Sequence, residues 1–200
     1  MESNNPENKP VEIEDNYPYI TYLIGAMEKT AEKDDGSAKR EDVERELLLR
    51  NVYPINPVKL EAFKTNMSVE ESKEKMIGWI ASGNRELLKE KSVAIWFGID
   101  YVAENGQLIH IPGDFDYVRM SDWITLVINR GDKPCGSFGE SAYGAILGKP
   151  LYIISEMPKK ELPKSLFQWM CIVDGEHFEN LSQYLKYIDE QYKLKRKEEK

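Results

Sequence analysis

Apolar and polar positions follow one another in blocks along the chain, and these blocks predict alternating strands and helices. Three runs are almost entirely apolar, β-branched or aromatic, as is typical of strands buried within a sheet: 19–24, 123–128 and 151–154. A shorter strand that ends at a proline is predicted at 52–57. Buried strands that alternate with helices imply a parallel sheet covered on both faces. We therefore expect an α/β fold with a Rossmann-like or flavodoxin-like parallel sheet.

The helices are predicted from apolar residues at helical spacing and from their start signals. A capping box, Ser-Val-Glu-Glu at 68–71, opens a long helical stretch that the polar sequence at 82–84 ends or kinks. Other helices are predicted at 39–50, 86–91, 114–121, 140–147 and 181–193, with loops at 28–37 and 130–138. The apolar faces are formed by Val43, Leu47 and Leu48 in the first helix, and by Met76, Ile77 and Ile80 in the long one.

One α/β domain is expected over 18–193. The segment before it, 1–17, is rich in Glu, Asn and Pro and is predicted to be a disordered arm. The charged end of the chain, 194–200, is predicted to be a frayed tail. Two apolar runs, 93–97 and 107–111, flank Asn-Gly and are predicted to form a hairpin or part of an insert.

Composition narrows the classes of function. The formal net charge of −8 argues against a nucleic-acid partner, because phosphate backbones are bound by clustered Lys and Arg. The two cysteines and two histidines are far apart, so we expect no disulfide framework, no metal site and no cofactor. No signal peptide and no apolar run of membrane-spanning length is visible, so a soluble, cytoplasmic protein without a membrane partner is the expectation.

The segment that suggests chemistry is Gly-Asp-Lys-Pro-Cys-Gly-Ser-Phe-Gly-Glu at 131–140. Gly136 and Gly139 let a backbone turn tightly and approach a ligand closely. Glu140 is predicted at the start of a helix, where the dipole favours an ionised carboxylate that can attack an anomeric carbon. From these residues alone, a helix cap is the more common role for Glu140.

Four blocks in order resemble the nucleoside 2-deoxyribosyltransferase-like family. The first is Tyr-Leu-Ile-Gly-Ala-Met at 22–27, similar to the strand and turn that open the family pattern. The second runs from Gly36 to Arg40 and on to the strand at 52–57. The others are the acidic helix and strand at 114–122, and Gly-Ser-Phe-Gly-Glu at 136–140 followed by Lys-Pro at 149–150.

The resemblance implies a role for three residues in the reaction. Glu140 would displace the base from C1′ and form a glycosyl-enzyme intermediate. Asp114 would contact the leaving base and protonate it, and Tyr22 would hydrogen-bond Glu140 and orient it. The alternatives are an N-cap for Asp114 and a core strand aromatic for Tyr22.

The resemblance also implies substrate-binding residues: Gly25, Met27, Arg40, Gly136, Ser137 and Asp122. For Asp122 a structural role at the foot of a strand is the favoured interpretation. Arg40 is equally compatible with a solvated helix arginine, and Ser137 with a loop-stabilising serine. The sequence departs from the family at Pro134 and Cys135, where an acidic residue or serine is common. It also has a longer segment at 67–112, which we interpret as an insert.

Several functions stay open at this level. The first hypothesis is transfer of the sugar of a (deoxy)nucleoside to another free nucleobase. Hydrolysis of a deoxynucleoside 5′-monophosphate is the alternative, and a non-catalytic nucleotide-binding module is a third. A phosphoribohydrolase with a Gly-Gly pair is disfavoured because Gly136 lacks a glycine before it. Because transferases of the family often complete their sites across subunits, the resemblance also implies a homo-oligomer.

Overall fold

The structure, a computed structural model, describes residues 16–25, 37–57, 69–103, 105–132 and 135–197. In chain order the strands are β1 (Tyr19–Gly25), β2 (Val52–Ile55), β3 (Ile99–Val102), β4 (Leu108–Ile111), β5 (Trp123–Val127), β6 (Leu151–Ile154) and β7 (Glu176–Phe178). The helices are α1 (Ser37–Leu48), α2 (Val69–Ser82), α3 (Arg85–Phe97), α4 (Asp114–Met120), α5 (Cys135–Ile146), α6 (Lys164–Ile172) and α7 (Leu181–Tyr192), with a 3₁₀ turn at Lys159–Glu161.

The described residues divide into two units. The sheet unit comprises 16–25, 37–56, 117–132 and 135–197, and the insert unit comprises 57, 69–103 and 105–116. All of the predicted insert at 67–112 that the structure describes belongs to the insert unit. Within the described ranges, no helix combines the length and apolar character that crossing a bilayer requires.

The sheet unit is built on one five-stranded sheet of order β2-β1-β5-β6-β7, and all of its pairings are parallel. The predicted α/β fold with a Rossmann-like or flavodoxin-like sheet is confirmed. This order matches the flavodoxin-like doubly wound arrangement, which has its topological switch point between the first strand and the strand added on its other side. Here β1 and β5 flank the switch point, and Gly25 pairs with Val127 at their carboxyl ends.

Helices cover both faces of this sheet. On one face, Leu23 and Trp123 pack with Val43 of α1 and Tyr184 of α7 in a buried cluster. On the other face, α5 packs so closely that a Cβ atom added to Gly144 would collide with the Ile124 side chain. Alternation of side chains along a strand explains the division, because neighbouring residues such as Leu23 and Tyr22 point to opposite faces.

A buried hydroxyl network fastens α7 to the central strands. Thr125 Oγ1 lies 3.0 Å from Thr21 Oγ1 and 2.8 Å from Tyr184 Oη. Trp123 Nε1 donates to Tyr184 Oη at 3.1 Å. Tyr184 is fully buried, and burial raises the pKa of its phenol. Trp123 and Tyr184 thus belong to the core of the sheet unit.

The insert unit corrects the prediction for 93–97. This segment is the last part of α3 and not a strand; the helix stops at Gly98, which has φ 81°. The hairpin is formed by β3 and β4. Its turn has the predicted Asn-Gly chemistry, since Gly106 has φ 81° and Gln107 N donates to Asn105 Oδ1 at 3.0 Å.

The apolar side predicted for the long helix is exposed. Helix α2 ends at Ser82, as the polar break predicts, but Ile77 and Ile80 are 66% and 64% exposed. Helical spacing identifies a common face and does not say what covers it. Ser68, which opens the predicted capping box, lies outside the described residues.

The two chain ends differ in how far the structure describes them. Lys197 N donates to Leu49 O at 2.7 Å, and Arg196 contacts Glu46. The described part of the predicted frayed tail is therefore hydrogen-bonded along α1. Most of the predicted disordered arm, 1–15, lies outside the described residues.

Candidate active site

The central contact of the sheet unit's candidate site joins β1 to α5. Tyr22 is fully buried and points to the α5 face, opposite Leu23. Its Oη donates a hydrogen bond to Glu140 Oε1 at 2.9 Å, and Glu140 is 6% exposed. This is the contact that the family resemblance implies. Both partners belong to regular elements, so the carboxylate is held by a strand side chain and not by a loop.

The Tyr22 ring is itself fixed by packing. It stacks on Tyr117 of α4 with ring centroids 6.2 Å apart and an angle of 18° between the planes. Tyr22 is therefore both a core aromatic residue and the donor to Glu140. The two interpretations of Tyr22 do not exclude each other, because the ring packs while the hydroxyl at its tip reaches the carboxylate.

The position of Glu140 in α5 differs from the predicted one. The helix begins at Cys135, so 135–138 is helical rather than part of a loop, and Glu140 lies in the second turn. The effect of the helix dipole is largest in the first turn. The contact with Tyr22 therefore helps to orient this carboxylate, and a helix cap is the wrong description of Glu140.

Arg40 lies at the carboxyl end of β1. It is 2% exposed, so the alternative of a solvated helix arginine is wrong. A Cβ atom added to Gly25 would lie 2.9 Å from Arg40 Nη1 and 2.7 Å from the Val127 carbonyl oxygen. Glycine at position 25 therefore leaves the room in which the guanidinium lies, beside the ends of the two strands that flank the switch point.

Two further predicted site residues lie in the first turn of α5. Ser137 is 2% exposed and belongs to the helix, so the alternative of a loop-stabilising serine does not apply. Gly136 is exposed, and a Cβ atom added to it would meet no atom of the chain within 4 Å. The packing of the chain itself does not require glycine at this position.

Asp122 lies at the opposite edge of the sheet. Its Oδ2 accepts a hydrogen bond from Ile20 N at 2.7 Å, and its own N–H donates to Ile20 O at 2.8 Å. These contacts join the amino ends of β1 and β5, whereas Gly25 lies at the carboxyl end. The structure therefore does not bring Asp122 to the other predicted substrate-binding residues of the sheet unit.

Asp114, Met27 and Asp132 are the remaining residues that the sequence singles out. Asp114 belongs to the insert unit, where it begins α4 and is 8% exposed. Met27 lies outside the described residues. Asp132, an acidic residue of the predicted glycine-bearing loop, accepts a hydrogen bond from Asn129 N at 2.7 Å and stabilises the turn after β5.

A cavity of about 200 Å³ opens at the carboxyl ends of β5 and β6, on the side of the sheet that α1 and α7 cover. Sequence reasoning did not anticipate it. Lys39 lies at its wall and donates to Asn129 Oδ1 at 2.9 Å. None of the predicted site residues that the structure describes lines it. The described polar residues of its lining are Lys39, Asp42, Asn129, Ser155, Glu156, Glu179 and Asn180.

The insert unit holds a charged cluster that sequence reasoning missed. His110 lies between two carboxylates, with Nδ1 2.7 Å from Asp100 Oδ1 and Nε2 3.1 Å from Asp116 Oδ2. Hydrogen bonds to these two aspartates raise the pKa of His110 above its ordinary value of 6.5. The hairpin register brings Asp100 opposite His110, so the strand pairing was the signal that could have revealed the pair.

Comparison with known proteins does not assign the chain to a family. No family model matches the chain, and no curated protein matches it at a significant level. Among the residues that the structure describes, no group of three or more His, Cys, Asp or Glu side chains is arranged to hold a metal ion. The features that suggest a function are therefore the sequence blocks and the geometry around Tyr22, Glu140 and Arg40.

Proposed function

We propose that this protein cleaves the N-glycosidic bond of a 2′-deoxynucleoside and transfers the sugar to another nucleobase, with Glu140 as the nucleophile. One observation carries the proposal: a buried tyrosine hydroxyl holds the Glu140 carboxylate at 2.9 Å. A carboxylate in the second turn of a helix needs no tyrosine partner to keep the helix folded. A nucleophile that must approach one carbon atom does need a fixed orientation.

The proposed reaction has two steps. In the first, a Glu140 oxygen forms a bond to C1′ while the bond from C1′ to the base nitrogen breaks. The electron pair goes to the leaving base, and Asp114 supplies the proton that neutralises it. In the second step, a nitrogen of the acceptor base attacks C1′, Glu140 leaves as a carboxylate, and the acceptor's proton returns to Asp114. Tyr22 keeps its hydrogen bond to the Glu140 oxygen that does not bond to C1′.

The position of the pair in the fold supports this role. Helix α5 follows β5, so its first turns begin at the carboxyl edge of the sheet, where doubly wound α/β proteins bind their ligands. Arg40 and Gly25 lie at the carboxyl end of β1, on the other side of the same switch point. A nucleophile and a cation thus flank the two strands at which the sheet reverses its winding.

Arg40 favours one second candidate, the hydrolysis of a deoxynucleoside 5′-monophosphate. A guanidinium held at 2% exposure at the switch point is the kind of group that binds a phosphate. In this version water attacks C1′ in the second step, and its proton goes to Asp114. The products are then a free base and a sugar phosphate.

The test is chromatography of the purified protein with a panel of 2′-deoxyribonucleosides and their 5′-monophosphates, each with and without a second free base. We expect a new nucleoside that forms only when the second base is present. Free base and sugar phosphate from monophosphates alone would assign the hydrolase instead. No product from any substrate would overturn both and leave a nucleotide-binding module.

The matched variants are Glu140→Gln and Glu74→Gln. We expect Glu140→Gln to lower turnover by at least roughly a thousandfold, because glutamine cannot form the glycosyl ester. The same change at Glu74, an exposed residue of α2, should leave turnover unchanged. Equal activity of the two variants would contradict the role of Glu140.

A further inference from the structure

The His110 cluster ties the hairpin of the insert unit to the start of α4. Asp100 lies on β3, His110 on β4 and Asp116 on α4, so the imidazole joins three elements. Asp116 Oδ2 also accepts a hydrogen bond from Gly113 N at 3.1 Å. The histidine therefore acts on the backbone next to Asp114 through the same carboxylate oxygen.

The geometry of the cluster determines the protonation state that it requires. Both ring nitrogens lie within hydrogen-bond distance of a carboxylate oxygen, and carboxylates only accept. A neutral imidazole has a single N–H and can satisfy one of the two; an imidazolium satisfies both. The two aspartates correspondingly raise the pKa of His110, with Asp100 contributing most. When His110 loses its proton, one contact changes from a hydrogen bond to a repulsion between lone pairs.

Packing makes the residues beside Asp114 rigid on both sides. A Cβ atom added to Gly113 would collide with backbone atoms of Gly98 and Phe97, so this backbone is pressed against the end of α3. Phe115 packs on Trp96 and Phe97, with ring centroids 5.0 Å and 5.4 Å away. Asp114 is thus held between fixed neighbours, and the His110–Asp116 contact closes the arrangement.

We infer that His110 is a positioning residue for Asp114: as an imidazolium it holds Asp116 and the backbone at 113–116, and so sets the orientation of the acid that protonates the leaving base. This inference rests on the proposed function for the role of Asp114. Among the described residues, the charged groups that hydrogen-bond to His110 are Asp100 from β3 and Asp116 from α4. Gly98, which follows α3, also lies beside the ring, since a Cβ atom added to it would be 2.9 Å from His110 Cε1.

The sign of the pH dependence follows from the raised pKa. A group whose folded pKa is raised contributes its interactions fully at pH values below 6.5, and loses them as the pH rises through the folded pKa. The orientation of Asp114 is therefore expected to loosen on the alkaline side of the His110 titration. Asp100→Asn removes the larger cause of the shift without touching Asp116, and should move this transition to lower pH.

The experiment combines histidine NMR, amide hydrogen exchange and kinetics on the full-length protein. The chain has two histidines, so a His110→Gln spectrum assigns the His110 signals directly. We expect exchange of the amides at 113–116 to rise with the His110 titration, and kcat to fall over the same pH range with little change in KM. Asp100→Asn should shift all three together, and His110→Gln should lower kcat on the order of tenfold and remove the transition.

Different results would overturn the two proposals separately. A His110 pKa at or below 6.5, or amide exchange at 113–116 that does not change with the His110 titration, would overturn the restraint of 113–116 by His110, whether or not the protein shows activity. A coupled titration and exchange with unchanged kcat in His110→Gln would overturn the positioning role. If neither the unsubstituted protein nor any variant shows turnover, while titration and exchange are still coupled, the proposed function is overturned. The restraint of 113–116 by His110 then remains as a pH-dependent structural device.

Discussion

Tyr22 Oη and Glu140 Oε1 lie 2.9 Å apart although the two residues are separated by 118 positions in the chain. One belongs to the central strand β1 and the other to helix α5, which packs over that strand. This hydrogen bond restrains a buried carboxylate from a strand of the core, which is a more precise support than a loop would provide.

Tyr22→Phe tests this hydrogen bond with little change in volume. We expect kcat to fall by roughly tenfold to a hundredfold, because the carboxylate loses its orientation while the ring still packs. The free energy of unfolding should fall by only about 1 kcal/mol, the usual contribution of one hydrogen bond. Steady-state kinetics and urea unfolding measure the two quantities.

The control for Tyr22→Phe is Tyr192→Phe. The Tyr192 hydroxyl lies 3.0 Å from Tyr152 Oη and belongs to the packing of α7. Its loss should affect the free energy of unfolding by a similar amount and leave kcat unchanged. If both variants had the same kcat, the Tyr22 hydroxyl would have no role beyond stability.

Two glycine substitutions should separate packing from ligand approach. Gly25→Ala would place a Cβ atom against Arg40 Nη1 and the Val127 carbonyl oxygen, so we expect it to displace the guanidinium and lower both stability and substrate affinity. The Cβ atom that Gly136→Ala adds would have no atom of the described chain within 4 Å. This variant should raise the free energy of unfolding by about 0.5–1 kcal/mol, since alanine favours the helix.

The activity of Gly136→Ala is the informative measurement. If a substrate approaches the backbone of the first turn of α5, the more stable variant should have a raised KM. A variant that is both more stable and fully active would show that glycine at 136 has no role in binding. Thermal unfolding and KM values for each variant separate these outcomes.

Glu46 should make the protein acid-sensitive. Hydrogen bonds from Arg196 and Arg50 lower its pKa below the ordinary value of 4.5. A lowered folded pKa contributes stability at pH values above 4.5, and this contribution is lost as the pH falls through the folded pKa. Urea unfolding across this range should show a smaller pH dependence in Glu46→Gln. An identical dependence in both proteins would mean that the contacts of Arg196 and Arg50 add nothing.

Two buried hydroxyls should respond oppositely to removal. Ser141 Oγ is buried and has no hydrogen-bond partner among the residues that the structure describes, so Ser141→Ala should leave the free energy of unfolding unchanged or raise it. Thr125 Oγ1 bonds to Thr21, Trp123 and Tyr184, so Thr125→Val should lower it by about 1–3 kcal/mol. Equal losses in the two variants would contradict this assignment.

The strands of the sheet were predictable where apolar runs are long. β5 and β6 are buried throughout, and β1 is buried over its four central residues, so the sequences of these strands are almost entirely apolar. β7 escaped prediction because three residues at an edge carry little periodic signal, and α6 was missed as well. Residues 93–97, predicted to form a hairpin or part of an insert, are helical. A short apolar run has no period that separates a strand from a helix.

The candidate site was predictable only in part. The family blocks drew attention to Tyr22 and Glu140, and the chain folds so that they meet. Arg40 could not be distinguished from a solvated arginine, because its burial depends on the space left by Gly25 in another element. His110 looked isolated in the sequence, since its partners come from a strand pairing and from the next helix. Asp122 shared the family spacing although it lies at the opposite edge of the sheet.

The most direct test of the central claim is intact-protein mass spectrometry of protein that is mixed with a deoxynucleoside or its monophosphate, without an acceptor base, and rapidly quenched. The account predicts a protein species heavier by one sugar or sugar phosphate, mapped by digestion to Glu140 and absent from Glu140→Gln. An adduct on another residue, or undiminished turnover of Glu140→Gln without any adduct, would contradict the assignment of Glu140 as the nucleophile.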